Sequence, residues 1–510
     1  MILILDFGSQ YTQLIARRVR EARVYCEIHP FDLSLEKIRA LKPRGIILSG
    51  GPASLYWENA PDLRPEVLRT GCPVLGICYG MFVIARHLGA HSAGSPAREY
   101  GPATLVIDRP DPLFEELEGC EHQVWMSHGD RVEQIPGELT TIAHSENSPY
   151  AAVRSRDGML RGIQFHPEVA HTPCGTAILR NFVHRVCGEP GDWTMENFIE
   201  TKTGEIRARV RPEDRVLMAL SGGVDSAVAA ALIHRAVGDQ LKCVFVDTAL
   251  LRAGERQRMQ DVYARQANIE LAVVDASEVF LERLTGVTDP EQKRRIIGHT
   301  FIEVFEREAT ALGGARFLGQ GTLYPDVIES VSFKGPSATI KSHHNVGGLP
   351  ERMRLELIEP LRELFKDEVR ELGRELGLPN EILDREPFPG PGLAVRIVGA
   401  VTRARLELVR AADAIVMEEV RAADLQKSVW QGFAVLLPLK TVGVMGDGRS
   451  YESAIAIRVV NSSDGMTADW TRLDAALIAK ISKRITNEIK GINRVVYDVT
   501  SKPPGTIEWE

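Results

Sequence analysis

A short glycine-rich run constrains the fold more than any other stretch of the chain. Residues 221–226 read Ser-Gly-Gly-Val-Asp-Ser, after the apolar run Val216–Leu220 and before an alanine-rich helical pattern over 227–237. A strand, a glycine turn and a helix start together present free backbone N–H groups to an anion. The run lacks the Gly-x-x-x-x-Gly-Lys-Ser/Thr order of the Walker loop. We therefore predict a phosphate-binding loop of another type, in preference to an ordinary βα turn.

Composition and charge are those of an ordinary globular protein. The 510 residues are 44% hydrophobic and 25% charged, and this length favours about three domains of ~150 residues each. The net charge of −8 implies no general affinity for nucleic acid or anionic membranes. No apolar run reaches the ~18 residues that a membrane span requires. Seven scattered cysteines without a Cys-x-x-Cys pair disfavour zinc and disulfide frameworks, so we expect a cytoplasmic protein.

Three regions with different patterns follow one another. Residues 1–190 alternate short apolar strands with helical stretches, which predicts an α/β domain with a mainly parallel sheet. Residues 191–385 repeat that pattern, and their strands end in aspartates that suit a nucleotide site. Residues 386–510 mix helices and strands. The predicted fold class is α/β, with two successive doubly wound, mainly parallel-sheet domains followed by a small α+β domain.

Individual elements are predicted within these regions. We expect helices over 360–378, 401–423 and 471–489, strands over 435–438, 453–460 and 494–498, and a mobile loop over 330–350.

Cys78, His166 and Glu168 form the first candidate site. Cys78 follows a short strand inside Gly-x-Cys-x-Gly, the spacing of a tight strand-to-helix turn that exposes a nucleophile. The helix N-terminus favours the thiolate form. His166 and Glu168 end a predicted strand, where residues two apart point to the same side. Glu168 then orients His166 as the base for Cys78, which predicts acyl transfer from an amide through a thioester.

Backbone donors complete this site. The N–H groups of Gly51 and Tyr79 are candidates for an oxyanion hole, since each follows a predicted strand.

These residues resemble the class I glutamine amidotransferases. Cys78, His166 and Glu168 match the catalytic triad of that family, and residues 127–130 (Ser-His-Gly-Asp) resemble its glutamine-binding stretch. The resemblance implies a site that hydrolyses L-glutamine and releases ammonia. The sequence departs from the family at Phe82, where glutamine is usual.

The glycine-rich run is similar to the pyrophosphate loop of enzymes that split ATP into AMP and pyrophosphate. This likeness implies that ATP is a substrate and that Mg²⁺ neutralises the departing diphosphate; the sequence identifies no metal ligands. The residues that match the loop are Ser221, Gly222, Gly223, Val224, Asp225, Ser226 and Ala227.

The whole chain resembles the glutamine-hydrolysing GMP synthases. Its most specific stretches are residues 340–350, 388–393, 443–449 and 501–510. The resemblance implies that ATP adenylates the C2 oxygen of XMP and that ammonia displaces AMP to give GMP. It further implies a homodimer formed through residues 386–510, with Lys341 in an active-site lid. The residues that it assigns to XMP are Arg294, Lys502, Ile507 and Glu508.

Two alternative functions stay open at this stage. One is another ATP-splitting amidating synthetase, such as a glutamine-dependent NAD synthetase, although that enzyme carries a nitrilase-type glutaminase at its N-terminus. The other is a glutamine or nucleotide sensor without turnover, which only Phe82 favours.

Overall fold

The structure is a computed structural model of the chain that divides into two compact units, Met1–Phe198 and Ile199–Glu510. It describes residues 1–54, 57, 59–265, 269–311, 314–330, 355–425, 428–445, 448–462 and 467–510. Among the helices of these residues, none is both long and apolar enough to cross a membrane.

The first unit is built on one nine-stranded sheet, with strands in the order β2-β1-β3-β4-β9-β8-β7-β5-β6. Its strands are β1 (Ile2–Asp6), β2 (Cys26–Pro30), β3 (Gly45–Leu48), β4 (Val74–Ile77), β5 (His91–Ile107), β6 (Glu121–Gln134), β7 (Leu139–His144), β8 (Ala152–Ser155) and β9 (Leu160–Ile163). Its helices are α1 (Thr12–Glu21), α2 (Leu35–Leu41), α3 (Tyr79–His87) and α4 (Gly175–Asn181), followed by a π-helical turn at Phe182–Val186.

Two halves of this sheet differ in strand direction. Strands β2, β1, β3, β4 and β9 run parallel, and the residues of β3, β4 and β9 are all buried, as expected for a sheet covered on both faces. Strands β8, β7, β5 and β6 continue the sheet with antiparallel pairs. The carboxyl ends of β3, β4 and β9 therefore meet at one edge, where ligands bind in sheets of this kind.

The second unit contains two sheets. Its strands are β10 (Val216–Leu220), β11 (Leu241–Asp247), β12 (Leu271–Asp275), β13 (Phe317–Gly319), β14 (Glu356–Ile358), β15 (Gln431–Met445), β16 (Gly448–Asn461), β17 (Asp469–Trp470) and β18 (Ile492–Tyr497). Helix α5 (Met195–Arg209) begins in the first unit and continues into the second. The helices that lie wholly in the second unit are α6 (Val224–Val237), α7 (Glu255–Arg265), α8 (Ser277–Arg283), α9 (Pro290–Ala311), α10 (Tyr324–Ser330), α11 (Lys366–Glu375), α12 (Asn380–Leu383), α13 (Arg403–Ala422) and α14 (Ala475–Glu488).

The parallel sheet of the second unit has the order β12-β11-β10-β13-β14. The chain starts at the central strand β10, adds β11 and β12 on one side and then β13 and β14 on the other. This order creates a switch point between β10 and β13, where open α/β sheets bind nucleotides. The turn that follows β10 lies at this switch point.

The second sheet of this unit is an antiparallel hairpin, β15 and β16, extended by β17 and by the parallel strand β18. A single hydrophobic core joins both sheets of the unit. It includes Leu217 and Val244 of the parallel sheet, Val409 of α13 and Ile455 of β16. The predicted fold class, two mainly parallel α/β folds followed by an α+β region, is thereby confirmed.

Several predicted boundaries were wrong. The helix predicted over 360–378 begins at Lys366, because the Glu368 carboxylate accepts the amide hydrogen of Phe365 at 2.8 Å and starts the helix there. The strand predicted to carry His166 ends at Ile163. Strands β15 and β16 extend beyond 435–438 and 453–460, because their long hairpin register continues outside the buried apolar core. The predicted loop over 330–350, with Lys341, lies almost wholly outside the described residues.

Candidate functional site

Cys78 lies on a sharp turn between β4 and α3. Its backbone has φ 49° and ψ −103°, a conformation that few residues other than glycine adopt. A Cβ atom on Gly80 would collide with the carbonyl oxygen of Leu48, and one on Gly76 would collide with the carbonyl oxygen of Gly80. The two glycines therefore allow the turn to bring Cys78 to the edge where β3, β4 and β9 end.

The structure brings Cys78, His166 and Glu168 together. Nδ1 of His166 lies 2.7 Å from Oε1 of Glu168, and both side chains are buried. The backbone holds this pair in position, since His166 N–H donates to the Trp125 carbonyl at 3.0 Å and Thr172 Oγ1 donates to the His166 carbonyl at 2.7 Å. The pairing that the sequence predicts for an extended strand is thus made by the loop after β9.

Burial alone lowers the pKa of His166, but hydrogen bonds to Cys78 and Glu168 outweigh it and raise the pKa to about 11. The positively charged imidazolium is therefore the stable form at neutral pH. In general, a cation beside a cysteine stabilises the thiolate, which is the nucleophilic form of the side chain.

The two predicted oxyanion donors lie on different elements. Tyr79 is the first residue of α3, where backbone N–H groups have no acceptor within the helix. Gly51 follows β3, and a Cβ there would lie 2.7 Å from the Phe7 carbonyl oxygen. Neighbouring Gly50 faces both His166 and Cys78, since its Cβ position is 3.2 Å from Cε1 of His166 and 3.8 Å from Cβ of Cys78.

Residues 127–130 lie in β6 beside the thiol. Cys78 Sγ is 3.8 Å from the Ser127 carbonyl oxygen and 4.0 Å from Nε2 of Gln164. Phe82, by contrast, is buried in a hydrophobic cluster with Val132 and Leu139. Its ring is therefore a core side chain on the buried face of α3.

The glycine-rich run of the second unit forms the turn between β10 and α6. Gly222 has φ +75°, and α6 begins at Val224. The two hydroxyls, Ser221 Oγ and Ser226 Oγ, are 3.2 Å apart, and Ser221 Oγ accepts from the Gly223 amide at 3.2 Å. These contacts gather hydroxyls and helix N-terminal amides at the switch point of the sheet, an arrangement suited to an anion.

Two residues that hold this turn were missed at the sequence level. Arg385 donates to the Gly222 carbonyl and pairs with Glu255, at the start of α7. The Glu255 carboxylate also accepts the Arg252 amide at 3.0 Å. The one available signal was the position of Arg385 before the proline-rich run 387–391, which indicates only a boundary.

Buried arginine side chains hold the C-terminal segment, residues 501–510, in place within the second unit. Fully buried Arg396 pairs with Glu508 at 3.0 Å and with Asp413 at 3.2 Å. Gln431 Nε2 donates to the same Glu508 carboxylate at 2.9 Å. Arg458, also buried, donates to the Thr506 carbonyl at 3.0 Å. The segment is thus held by specific bonds and is not a frayed terminus.

The residues predicted to contact XMP all lie on or beside this segment. Ile507 packs against a cluster around Phe433, and Lys502 forms a two-way backbone bridge with Ala468. Arg294 of α9 donates to the Glu510 backbone oxygen at 2.5 Å. Arg294 therefore contacts Glu510, the residue two positions after Glu508.

Three family models match successive parts of the chain. The model described as glutamine amidotransferase class-I matches residues 3–186, that described as tRNA methyl transferase HUP domain matches 214–290, and that described as GMP synthase C terminal domain matches 418–509.

Curated relatives match over the full length. The protein named GMP synthase [glutamine-hydrolyzing] of Nitratiruptor sp. is 58% identical over 513 residues, which cover 100% of this chain and 99% of that protein. The protein of the same name from Thermomicrobium roseum is 59% identical over 512 residues, covering 100% of this chain and 96% of that protein. The chain belongs to the glutamine-hydrolysing GMP synthase family. The resemblance predicted from sequence is confirmed, and the NAD synthetase and sensor alternatives are not supported by these matches.

A prediction for this family member follows from the His166–Glu168 contact. Glu168→Gln removes the negative charge that stabilises the imidazolium, so the pKa of His166 falls towards its ordinary value of ~6.5. At pH 7.5 we expect alkylation of Cys78 by iodoacetamide to slow about 10-fold. Because the raised pKa keeps the wild-type imidazole charged over this range, whereas an unassisted cysteine ionises by itself near its ordinary pKa of ~8.5, the ratio of the wild-type rate to the variant rate should shrink from pH 7 to pH 9. Peptide mass spectrometry separates Cys78 from the other six cysteines.

The matched control is Glu27→Gln. Glu27 and His29 are also two residues apart and in contact at 2.8 Å, on β2. This variant should leave the alkylation rate of Cys78 unchanged. Equal slowing in both variants, or none in Glu168→Gln, would contradict the assigned electrostatics.

Proposed function

We propose that the chain forms GMP from XMP, ATP and L-glutamine at two separate sites. One observation carries the proposal. A chain related to GMP synthases over its whole length contains both a Cys78–His166–Glu168 constellation and a glycine-rich anion cradle. The first is suited to releasing ammonia from an amide. The second is suited to holding the phosphates of a nucleotide.

In the first site, the Cys78 thiolate attacks the side-chain amide carbon of glutamine. The N–H groups of Gly51 and Tyr79 stabilise the oxyanion, and the His166 imidazolium gives its proton to the departing ammonia. This step leaves a γ-glutamyl thioester on Cys78. Water then attacks the thioester while neutral His166 accepts a proton, which releases glutamate and restores the thiolate–imidazolium pair.

In the second site, residues 221–227 hold the β- and γ-phosphates of ATP. The C2 oxygen of XMP attacks the α-phosphorus and pyrophosphate leaves, which turns that oxygen into part of a good leaving group. Ammonia then adds at C2, and AMP departs with the oxygen to give GMP. The hydroxyls of Ser221 and Ser226 and the amides at the start of α6 stabilise the charge that develops on the diphosphate.

The site suits Mg²⁺ that is bound together with ATP. No cluster of three or more His, Cys, Asp or Glu side chains suited to a metal occurs in the part of the chain that the structure describes. Mg²⁺ often relies on one or two carboxylates plus substrate phosphates, and Asp225 in the first turn of α6 offers such an oxygen ligand. When bound, the ion would neutralise charge on the diphosphate.

XMP binding is proposed at the C-terminal segment. Lys502 and Arg294 supply positive charge for an anionic nucleotide, and Ile507 supplies an apolar surface. The Glu508 carboxylate already accepts from Arg396 and Gln431, which fixes its orientation. Glu508 therefore offers a preoriented acceptor for N–H groups of a purine base.

Three domains, a homodimer and a cytoplasmic location complete the proposal. The family matches at 3–186, 214–290 and 418–509 support domains at 1–190, 191–385 and 386–510.

The exposed side chains Val442, Val444 and Tyr451 on the β15–β16 hairpin support a dimer contact there. Sedimentation that detects only monomer at micromolar concentration would refute this contact. All seven cysteines are free thiols, which suits a reducing compartment.

Cys78→Ala tests the division of labour between the two sites. We expect glutamine-dependent GMP formation to fall at least about 10³-fold, because the nucleophile is lost. Formation from ammonium salts should stay within twofold of wild type. Both activities are measured by chromatographic separation of XMP and GMP under saturating ATP.

The matched control is Cys26→Ala, which makes the same substitution at a buried thiol of β2. It should retain both activities. A Cys78→Ala enzyme that still uses glutamine would contradict the assigned nucleophile. Loss of both activities in a folded variant would contradict two separable sites.

Gly222→Ala tests the pyrophosphate loop. Alanine is disfavoured at φ +75°, and its Cβ would lie 2.9 Å from Nη1 of Arg385 and 3.2 Å from Oε1 of Glu255. We expect XMP-dependent release of pyrophosphate from ATP, with ammonia as nitrogen source, to fall about 10²-fold because the loop is displaced. The glutaminase activity should persist.

Gly238→Ala is the control at the other end of the same helix. Gly238 also has positive φ, at +57°, but open space surrounds its Cβ position. It should cost stability and leave the rate of pyrophosphate release unchanged. Equal rates in the two variants would argue against the loop as the phosphate cradle.

A further inference from the structure

A buried carboxylate and a histidine face each other near Cys78, outside the catalytic constellation. Glu99 of β5 and His128 of β6 are direct partners in the antiparallel register of the two strands. Both residues are less than 10% exposed, and Nε2 of His128 lies 3.2 Å from Oε2 of Glu99. That separation suits an ion pair, although the N–H direction deviates from a straight hydrogen bond.

The second nitrogen of His128 is held by the backbone of β6. Nδ1 lies 2.8 Å from the backbone carbonyl oxygen of Asp130, and a carbonyl oxygen only accepts hydrogen bonds. Nδ1 therefore carries a proton. Nε2, at the other edge of the ring, faces the Glu99 carboxylate. The ring is therefore held between the Asp130 backbone and the Glu99 side chain.

Glu99 receives additional donors from the loop between β7 and β8. Ser148 Oγ donates to Oε2 at 3.2 Å, and Ser145 Oγ donates to Oε1 at 3.4 Å. Burial alone raises the pKa of Glu99, but the contact with His128 and the hydrogen bonds from the two serines lower it below the ordinary value. Several partners of this kind are typical of a buried carboxylate, because burying an unpaired charge would cost free energy of folding.

The pair is linked to the thiol through the backbone of β6. The Ser127 carbonyl oxygen is 3.8 Å from Cys78 Sγ, and Ser127 is adjacent to His128. At the other end of residues 127–130, the Asp130 carboxylate accepts from Ser54 Oγ at 2.6 Å, on the loop that contains Gly51. His128 thus lies in the middle of a short stretch held between the thiol and the oxyanion loop.

We propose that Glu99 and His128 form a buried carboxylate–histidine pair that positions residues 127–130 to receive the glutamine substrate beside Cys78. The inference rests on the proposed hydrolysis of glutamine by Cys78. Glu99 acts through His128 and is a positioning residue. Its loss should weaken substrate binding more than it alters the reactivity of the thiol.

Glu99→Gln tests the proposal in the full-length enzyme. The amide retains the size of the side chain and removes its charge. We expect the KM for glutamine to rise about 10-fold, the scale of a lost charge-assisted hydrogen bond. GMP formation from ammonium salts and alkylation of Cys78 by iodoacetamide should both stay within twofold of wild type. A general structural defect of this unit would instead change the alkylation rate.

Asp108→Asn is the matched control. Asp108 also pairs with a histidine, since Oδ1 lies 2.8 Å from Nδ1 of His144, but this pair is exposed to solvent. The variant should keep the wild-type KM. An unchanged KM in Glu99→Gln, or a parallel change in KM and in Cys78 alkylation, would overturn the proposal.

A second variant decides the matter if Glu99→Gln does not fold. Ser148→Ala removes one donor to Glu99 and keeps its contact with His128, so we expect the KM for glutamine to rise about threefold. A wild-type KM in that variant would overturn the proposal. Failure of the proposed function is distinguishable, because it shows in the wild-type chain as GMP formation from ammonia without any formation from glutamine.

Discussion

The absence of a side chain at a few tight turns is the constraint on which both candidate sites depend. After β4, the backbone passes so close to Leu48 that no Cβ fits at Gly80, and this proximity brings Cys78 to the end of the sheet. After β10, Gly222 adopts a positive φ and leads into α6 at the switch point of the second sheet. In both places a parallel strand, a turn and a helix N-terminus bring unpaired amides and a reactive or binding group together.

Buried opposite charges then fix these turns and their partners. Glu168 keeps His166 charged beside Cys78, Glu255 and Arg385 clamp the Gly222 turn, and Arg396 orients Glu508 at the C-terminal segment. Because breaking a buried pair leaves an uncompensated charge, these contacts hold the geometry of each site more firmly than exposed ion pairs would.

The features that were predicted correctly from the sequence are those that neighbouring residues determine. Glycine spacing and the flanking apolar runs identified the strand-turn-helix units around Cys78 and Ser221, because those patterns span few residues. Long-range contacts were not predictable in the same way: Arg385 reaches Gly222 across 163 residues, and Arg396 reaches Glu508 across 112. Element ends were less accurate where a side chain decides them, as Glu368 does for α11. The cross-strand partner of His128 depends on the register of β5 and β6, which residue patterns alone do not determine.

Transfer of an oxygen isotope tests the central claim that XMP is adenylated before it is aminated. XMP labelled with ¹⁸O at C2 is converted to GMP with unlabelled ATP, and the AMP, pyrophosphate and GMP are separated and analysed by mass spectrometry. We expect one ¹⁸O atom in the phosphate of AMP and none in pyrophosphate or in GMP. Formation of ADP and labelled inorganic phosphate, or AMP without the label, would contradict it.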